Sequence, residues 1–210
     1  MLDSKGFDLW AENYDVQVGL ADENNDYPFA GYKDILGQIY AQIMAAGPGR
    51  VLDVGVGTAT LAAKLHQAGH EVVGVDFSEE MLKIAARKMP GARLICHDFE
   101  EGLPKELAGQ KFDFIVLTYA LHHLEDGAKC EFIREVLGYL APKGTLIIGD
   151  IAFETAEARD KCRADCGEDS WDDDEFYIAW ADFAERLKGW CKAEYRQVSH
   201  CGGIIQIKSS

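Results

Sequence analysis

The sequence predicts an α/β fold in which a mostly parallel β-sheet carries helices on both faces. From residue 50 onward, short apolar and β-branched runs alternate with segments of helical periodicity, which is typical of βα units. Five of these runs have the length of strands and are mostly apolar, as expected of strands that are covered on both faces. They span residues 51–54, 71–75, 92–96, 112–117 and 145–148.

The end of the chain predicts an antiparallel hairpin. Residues 191–199 and 203–208 have the character of strands and flank the segment Cys201-Gly202-Gly203, which suits a turn. With these two, the predicted sheet has seven strands, and its C-terminal strand is antiparallel.

Two of the helices between the strands have recognisable ends. One begins at Ser78, a residue type that caps helix N-termini, and stops at Pro90. The other has apolar residues at three- and four-residue spacings from Phe132 to Leu140, and we expect it to end at Pro142.

Two regions lie outside the alternation of strands and helices. Residues 1–48 begin with many aromatic residues and continue as a predicted helix through Ile35 and Ile43. Residues from about 152 to 190 predict two helices around an acidic turn, inserted into a domain that spans 49–210. We expect the whole chain to form one structural domain.

The charge of the chain excludes several classes of partner. Its 21 Lys and Arg face 36 Asp and Glu, so the formal net charge is −15 at pH 7. Nucleic acids and anionic lipid surfaces are bound through Lys and Arg, so neither is an expected partner. The apolar runs are shorter than the ~18 residues that a membrane-spanning helix needs. The first residues lack the pattern of a signal peptide, so we expect a cytoplasmic location.

The six cysteines are expected to be free thiols. Cys162 and Cys166, with His200 and Cys201 later in the chain, are the combination that most suggests a zinc site. They lack the paired C-x2-C spacing of such sites, so the sequence predicts no bound metal.

Residues 51–61 form the most informative segment, a strand that runs into a glycine turn and then a helix. Without a Cβ atom, Gly55 and Gly57 can take backbone angles that other residues avoid. They also let a ligand approach the main chain beside the positive end of the next helix. Many nucleotide-binding sheets share this pattern, so the glycines alone leave the ligand open.

Acidic residues at the ends of three successive strands narrow the choice of ligand. Asp53 lies two residues before Gly55, where a carboxylate can accept hydrogen bonds from a cationic amine. Asp76 follows Gly55 by 21 residues, the spacing of a carboxylate that binds ribose hydroxyls. Asp98 follows the third strand, where it can accept a hydrogen bond from the amino group of a base. A ligand with an amine, a ribose and an adenine but no phosphates is S-adenosylmethionine (SAM).

Together these motifs resemble the class I SAM-dependent methyltransferases over roughly residues 10–150. The matching segments are residues 52–57, Gly74-Val75-Asp76, His97-Asp98-Phe99, residues 119–124 and residues 140–145. The resemblance implies a Rossmann-like sheet and SAM as the cofactor. Residues 7–15 look like the start of the lid in small bacterial methyltransferases, so residues 1–48 would form an N-terminal helical lid. The family's third glycine is replaced by Ala59.

The resemblance also implies which residues bind the cofactor. They are Tyr14, Asp53, Gly55, Gly57, Thr58, Asp76, Phe77, Met81, Asp98, Phe99 and Thr118. Asp53 would hold the methionyl part together with the glycines, Asp76 the ribose and Asp98 the adenine. Phe77 and Phe99 would flank the base.

The candidate catalytic residues follow the fourth strand and are Tyr119, His122 and His123. A histidine has a pKa near neutrality and can accept a proton from an acceptor oxygen or nitrogen. Tyr119 would hold the acceptor or line the path of the methyl group. Helix capping for the histidines and ordinary packing for the tyrosine are the alternatives.

Aromatic residues from both outlying regions predict an enclosure for the acceptor. They are Tyr14, Tyr27, Tyr32, Trp171, Phe176, Tyr177 and Trp180. The helical spacing of Phe176, Trp180 and Phe183 favours the core face of a helix over a role in this enclosure. The expected acceptor is a small neutral or cationic metabolite, and the protein is expected to be a monomer or a homodimer.

Two other functions remain open at this point. One is a non-catalytic SAM-binding module or sensor. The other is an NAD(P)-dependent oxidoreductase, against which Asp53, Asp98 and the absence of a glycine at Thr60 argue. The three acids also have local alternatives, as a capping or loop acid for Asp53, a helix-start turn for Asp76 and a loop residue for Asp98.

Overall fold

The computed structural model describes residues 18–167 and 170–208, and its centre is an eight-stranded β-sheet. The strands are β1 (Arg50–Val54), β2 (Glu71–Asp76), β3 (Arg93–Cys96), β4 (Phe112–Thr118), β5 (Leu140–Phe153), β6 (Ile178–Ala179), β7 (Ala193–Gln197) and β8 (Gly202–Lys208). Their order is β3-β2-β1-β4-β5-β8-β7, and β6 pairs with the end of β5. Strands β1 to β5 pair in parallel and β8 is antiparallel to both neighbours. The predicted mostly parallel sheet with an antiparallel C-terminal strand is confirmed, and the short β6 adds to its seven strands.

Helices cover both faces of the sheet. They are α1 (Tyr32–Ala46), α2 (Ala62–Gln67), α3 (Glu79–Lys88), α4 (Asp126–Leu137), α5 (Ala156–Cys166) and α6 (Trp180–Leu187), and residues 18–24 are also helical. Short 3-10 helices lie at Phe99–Glu101, Lys105–Leu107 and Leu121–His123. No helix in the described ranges is long and apolar enough to cross a lipid bilayer.

The core has two apolar clusters, because successive residues of a strand point to opposite faces of the sheet. Leu52 and Val54 of β1 belong to one cluster, with Phe132 of α4, whereas Val51 belongs to the other, with Ile39 of α1. Strands β1 and β4 are neighbours although they are not consecutive in the chain. A crevice forms at the carboxyl ends of parallel strands where the order changes in this way, and ligands of α/β sheets bind there.

Helix α1 packs against β5 and β8 as one of the covering helices. Ile35, Ile39 and Ile43 are fully buried there. Gly149 of β5 allows the close approach, because a Cβ atom at this position would lie 2.6 Å from Ile35 Cγ2. Within residues 1–48, α1 is thus part of the core, and only the residues before it remain candidates for the predicted lid.

The structure corrects three boundaries. Helix α4 ends at Leu137, because Leu140 already pairs with Phe112 as the first residue of β5. The predicted hairpin is present, but Gly202 and Gly203 lie in β8 and not in the turn. Phe176 precedes helix α6 and so does not share its apolar face with Phe183.

Candidate functional site

A cavity, here called the inner cavity, opens at the carboxyl ends of β1, β2 and β4. It is lined by Gly55, Gly57, Asp76, Phe77, Met81, Phe99, Thr118, Tyr119, Ala120 and His123. All of these except Ala120 are residues that the sequence predicts to bind the cofactor or to take part in catalysis. They converge because parallel strands end at the same edge of the sheet.

The turn after β1 requires glycine at position 55. Gly55 has a φ of 73°, in the left-handed region, and a Cβ atom there would lie 2.6 Å from Ala120 Cβ. The Gly55 N–H donates to the carbonyl of Val75 at 2.9 Å. The chain can therefore pass between β2 and the loop after β4 without a side chain.

Asp76 joins the two loops at the floor of the inner cavity. Its Oδ2 accepts a hydrogen bond from the Gly57 N–H at 2.8 Å, and its Oδ1 accepts one from the Ser78 N–H at 2.9 Å. The carboxylate is therefore held in one orientation at the inner cavity.

Asp53 is a buried acid beneath the glycine turn and does not itself line the inner cavity. Only 2% of its surface is exposed, and within the described part of the chain its Oδ1 has no hydrogen-bond partner. Burial, together with the charge of Asp76, raises the pKa of this carboxyl well above its usual range. The predicted residue Thr58 is also buried, and its hydroxyl lies 3.3 Å from that of Thr60.

Two further predicted cofactor residues, besides Asp53 and Thr58, are not among the residues that line the inner cavity. Asp98 is exposed and caps the 3-10 helix Phe99–Glu101 by accepting the Glu100 N–H at 2.9 Å. The sequence left open an ordinary loop role for Asp98, and the capping contact is likewise local. Tyr14 lies outside the described residues. The cofactor-binding roles of both stay predictions.

His122 forms a buried pair with Asp150, a residue that the sequence reasoning missed. Nδ1 of His122 lies 2.6 Å from Oδ1 of Asp150, and the His122 N–H donates to Oδ2 at 3.2 Å. Burial acts to lower the pKa of His122, but the neighbouring carboxylate outweighs it and raises this pKa above its ordinary value. Burial acts in the opposite sense on Asp150, where the pairing with His122 lowers the pKa. The one available signal was an acid in the apolar strand β5.

Glu175 completes this arrangement and was also missed. Its Oε1 lies 3.6 Å from Nε2 of His122, and its Oε2 accepts a hydrogen bond from the Tyr177 hydroxyl at 2.6 Å. The Tyr177 hydroxyl also contacts that of Tyr27. In the sequence Glu175 only extends an acidic run, and no local pattern distinguishes it.

His123 and Tyr119 both line the inner cavity, and the ring of His123 also lies beside that of His122. The ring centroids of His122 and His123 are 4.2 Å apart, and burial together with the charge of His122 lowers the pKa of His123 to about 3. Tyr119 has a φ of 52°, which is unusual for a bulky residue. Its ring packs against Phe29 and Tyr32, with centroid distances of 5.5 and 5.0 Å. Such backbone strain often marks functional positions.

A second cavity adjoins Glu175 on the side of helix α5. It is lined by Asp126, Arg159, Asp160, Arg163, Trp171, Asp173, Glu175, Phe176 and Tyr177. Trp171 stacks on Tyr27 at a centroid distance of 5.0 Å and meets Tyr177 edge-on at 4.8 Å. Part of the predicted aromatic enclosure is therefore assembled here.

Two members of the predicted enclosure lie elsewhere. Trp180 stacks on Tyr195 at a centroid distance of 5.3 Å and lines neither cavity, because α6 turns it toward β7. Tyr32 packs against Tyr119.

Comparison with known proteins identifies the family. Residues 51–144 match the model of a methyltransferase domain. An uncharacterized methyltransferase of Oceanobacillus iheyensis is 35% identical over 153 residues, covering 73% of this chain and 68% of the relative. One from Geobacillus kaustophilus is 38% identical over 154 residues, covering 72% and 68%. The chain therefore belongs to the class I SAM-dependent methyltransferases.

Solved structures share the fold of this methyltransferase. A complex of DhpI with SAH has a TM-score of 0.69 at 18% identity and covers 99% of this chain and 95% of that one. Magnesium protoporphyrin IX methyltransferase from Synechocystis, with bound SAH, has a TM-score of 0.67 at 21% identity and covers 87% and 85%. At these low sequence identities, the structural similarity establishes a shared fold and no more.

The residues of the methyltransferase fit the charge of SAM. The buried carboxylate of Asp53, with Oδ1 lacking a partner among the described residues, is the complement of an ammonium group. Among the residues that line the inner cavity, neither Lys nor Arg is present, as suits a cationic ligand without phosphates.

Proposed function

We propose that this methyltransferase acts on a small neutral or cationic acceptor that binds between the inner and second cavities. The observation that carries the proposal is a row of side chains between the two. His123 lines the inner cavity and Glu175 lines the second. His122 lies between these two residues and contacts each of them. A donor in the inner cavity and an acceptor in the second would meet at this row.

In this proposal the inner cavity holds the methyl donor. When bound, SAM supplies an activated methyl group on its sulfonium centre. Asp53 binds the methionyl ammonium, and the Asp76 carboxylate accepts hydrogen bonds from the ribose hydroxyls. The apolar walls are Phe77, Met81 and Phe99.

The charge of the second cavity supports the acceptor class. Four carboxylates face two guanidinium groups, and both of these are already paired, Arg159 with Asp160 at 3.0 Å and Arg163 with Asp173 at 2.6 Å. Trp171 and Tyr177 add aromatic faces, which attract cations. Anionic acceptors would meet excess negative charge, whereas amines and alcohols would not.

An alcohol or a protonated amine must lose a proton before or as it is methylated. Glu175 and the two histidines are the groups nearest to the proposed meeting point, and Asp150 orients the ring of His122. These side chains therefore position the acceptor and receive or pass on its proton.

The test is SAH formation from SAM with a panel of small amines, alcohols and carboxylic acids. We expect turnover with members of the first two groups, and a loss of about 100-fold or more in kcat for Glu175→Gln. Glu131→Gln, an exposed change on α4, is the matched control and should retain full activity. Tight SAM binding without SAH formation from any compound would favour the non-catalytic module, and turnover restricted to carboxylic acids would contradict the acceptor class.

A further inference from the structure

The row of side chains between the two cavities has the composition of a metal site. His122, His123 and Glu175 each offer one ligand atom, and these three atoms lie within 4.8 Å of one another. We propose that this cluster, here called the His-His-Glu cluster, binds a divalent transition-metal cation. Metal binding itself does not depend on the proposed methyl transfer, but its use in the reaction rests on that function.

The distance between His122 and Glu175 fits a shared ion better than a direct hydrogen bond. Nε2 and Oε1 are 3.6 Å apart, beyond good hydrogen-bonding distance. Two donors that each lie about 2.1 Å from one ion at a tetrahedral angle are about 3.4 Å apart. A small movement of the side chains would therefore place both atoms in coordination distance.

A second carboxylate orients the first ligand. Asp150 lies 2.6 Å from Nδ1 of His122, which places the ring proton on Nδ1 and leaves the lone pair on Nε2, on the side of Glu175. Histidines that bind metals usually donate their other N–H to a carboxylate or carbonyl in this way. Asp150 is itself fixed by the N–H of Ile151 at 2.8 Å.

The carboxylate ligand is oriented as well. The Tyr177 hydroxyl donates to Oε2 of Glu175 at 2.6 Å, which leaves Oε1 directed at His122. Two of the three ligands thus have a partner that fixes the ligating atom. A surface group of acids and histidines brought together by chance has no reason to show this arrangement.

The donor set indicates the class of ion. Two imidazoles and one carboxylate suit Zn²⁺, Fe²⁺, Mn²⁺ or Co²⁺, whereas Mg²⁺ and Ca²⁺ prefer oxygen ligands. Three protein ligands leave at least one position open. If the proposed function holds, an acceptor oxygen or nitrogen would take that position, and the cation would lower its pKa. In the metal-bound form the cation would thus promote loss of the proton in place of the three side chains that ligate it.

The experiment uses the full-length protein without an affinity tag, treated with EDTA and then dialysed. Zn²⁺ binding is measured by calorimetry and Co²⁺ binding by its visible d–d absorption. We expect one equivalent to bind, binding to be lost in His122→Ala and His123→Ala, and affinity to fall about 10- to 100-fold in Asp150→Asn. His200→Ala, an exposed histidine, is the matched control and should bind as the parent does. Circular dichroism melts identify any variant that does not fold, and Glu175→Gln then replaces it.

The result that would overturn the inference is no binding by the parent protein, or equal binding by His122→Ala, His123→Ala and the parent. SAH formation is measured on the same samples with and without metal. Methyl transfer without metal binding would remove this inference and leave the proposed function. Metal binding without methyl transfer to any acceptor would remove the proposed function and leave the site.

Discussion

Asp53 is held where its charged form is unfavourable until a cation arrives. The side chain is buried, Oδ1 has no partner among the described residues, and Asp76 adds a like charge nearby. A buried carboxylate without a counter-charge lowers the stability of the fold. We therefore expect that a substitution of Asp53 which raises the stability of the fold also weakens ligand binding.

Asp53→Asn keeps the shape of the side chain and removes its charge. We expect the free energy of unfolding at pH 7 to rise by about 1–3 kcal/mol, because the unpaired buried charge is gone. SAH affinity should fall about tenfold to a hundredfold, through loss of a charge-assisted hydrogen bond to its ammonium group. Urea denaturation and calorimetry measure the two quantities.

The pH dependence provides the control for Asp53→Asn. The pKa of Asp53 is raised in the folded state, so the folded form loses stability as pH rises above the unfolded-state pKa of about 3.9. The advantage of the asparagine variant should therefore shrink as the pH falls toward about 4. A variant that is less stable at pH 7 and binds SAH as well as the parent would contradict the role of Asp53.

At the scale of elements, helix α3 links local helix stability to the inner cavity. Ser78 caps it by accepting the Met81 N–H at 3.2 Å, and its own N–H holds Asp76 at 2.9 Å. Phe77 and Met81, on either side of the cap, line the inner cavity. Loss of the cap should therefore weaken ligand binding as well as lower the stability of the fold.

Ser78→Ala is expected to lower the free energy of unfolding by about 1 kcal/mol, because the Met81 N–H loses its acceptor. SAH affinity should fall about threefold to tenfold, since the cap also fixes the backbone that positions Phe77 and Met81. Thr155→Ala removes the equivalent cap of α5, which accepts the Ala158 N–H at 3.2 Å. This control should lose stability and keep its affinity for SAH. Equal SAH affinities in the two variants would show that the cap of α3 is structural only.

For the whole molecule, the dominant property is its excess of carboxylates. The formal net charge is −15, and two groups of the carboxylates that produce it lie near the cavities. Asp76 lines the inner cavity with Asp53 buried nearby, whereas Asp172, Asp173 and Asp174 are exposed, and Asp173 lines the second cavity. Like charges on a surface repel one another and destabilise the compact state.

Salt should therefore stabilise this protein. Between about 20 and about 300 mM NaCl we expect Tm to rise by a few degrees, because screening lengths shorten over this range. Differential scanning fluorimetry measures this, with sucrose at equal osmolality as the control for effects unrelated to charge. A variant with Asp172→Asn and Asp174→Asn should respond less. A Tm that falls with salt would mean that the ion pairs outweigh the repulsion.

The parts of the fold that could be predicted from the sequence depend on neighbours in the chain. The strand ending at Val54, the turn at Gly55 and the cap at Ser78 are local patterns, and the structure has each of them. Parallel strands end at one edge of the sheet, so the residues after β1, β2 and β4 had to meet. This is why most of the inner cavity was predictable.

Tertiary structure alone decided which side chains from distant segments meet. His122 and Asp150 are 28 positions apart, and Tyr27 and Tyr177 are 150 apart. The same packing directed Trp180 away from the site and onto Tyr195, in agreement with the core role that its helical spacing favoured. The sequence by itself determined the α/β class, because that class follows from short-range periodicity. It also determined the motifs and the candidate cofactor residues, because these lie in short segments that resemble the methyltransferase family. The His-His-Glu cluster and its partners Asp150 and Tyr177 depend on how β5 and the segment before α6 pack, which local patterns do not encode.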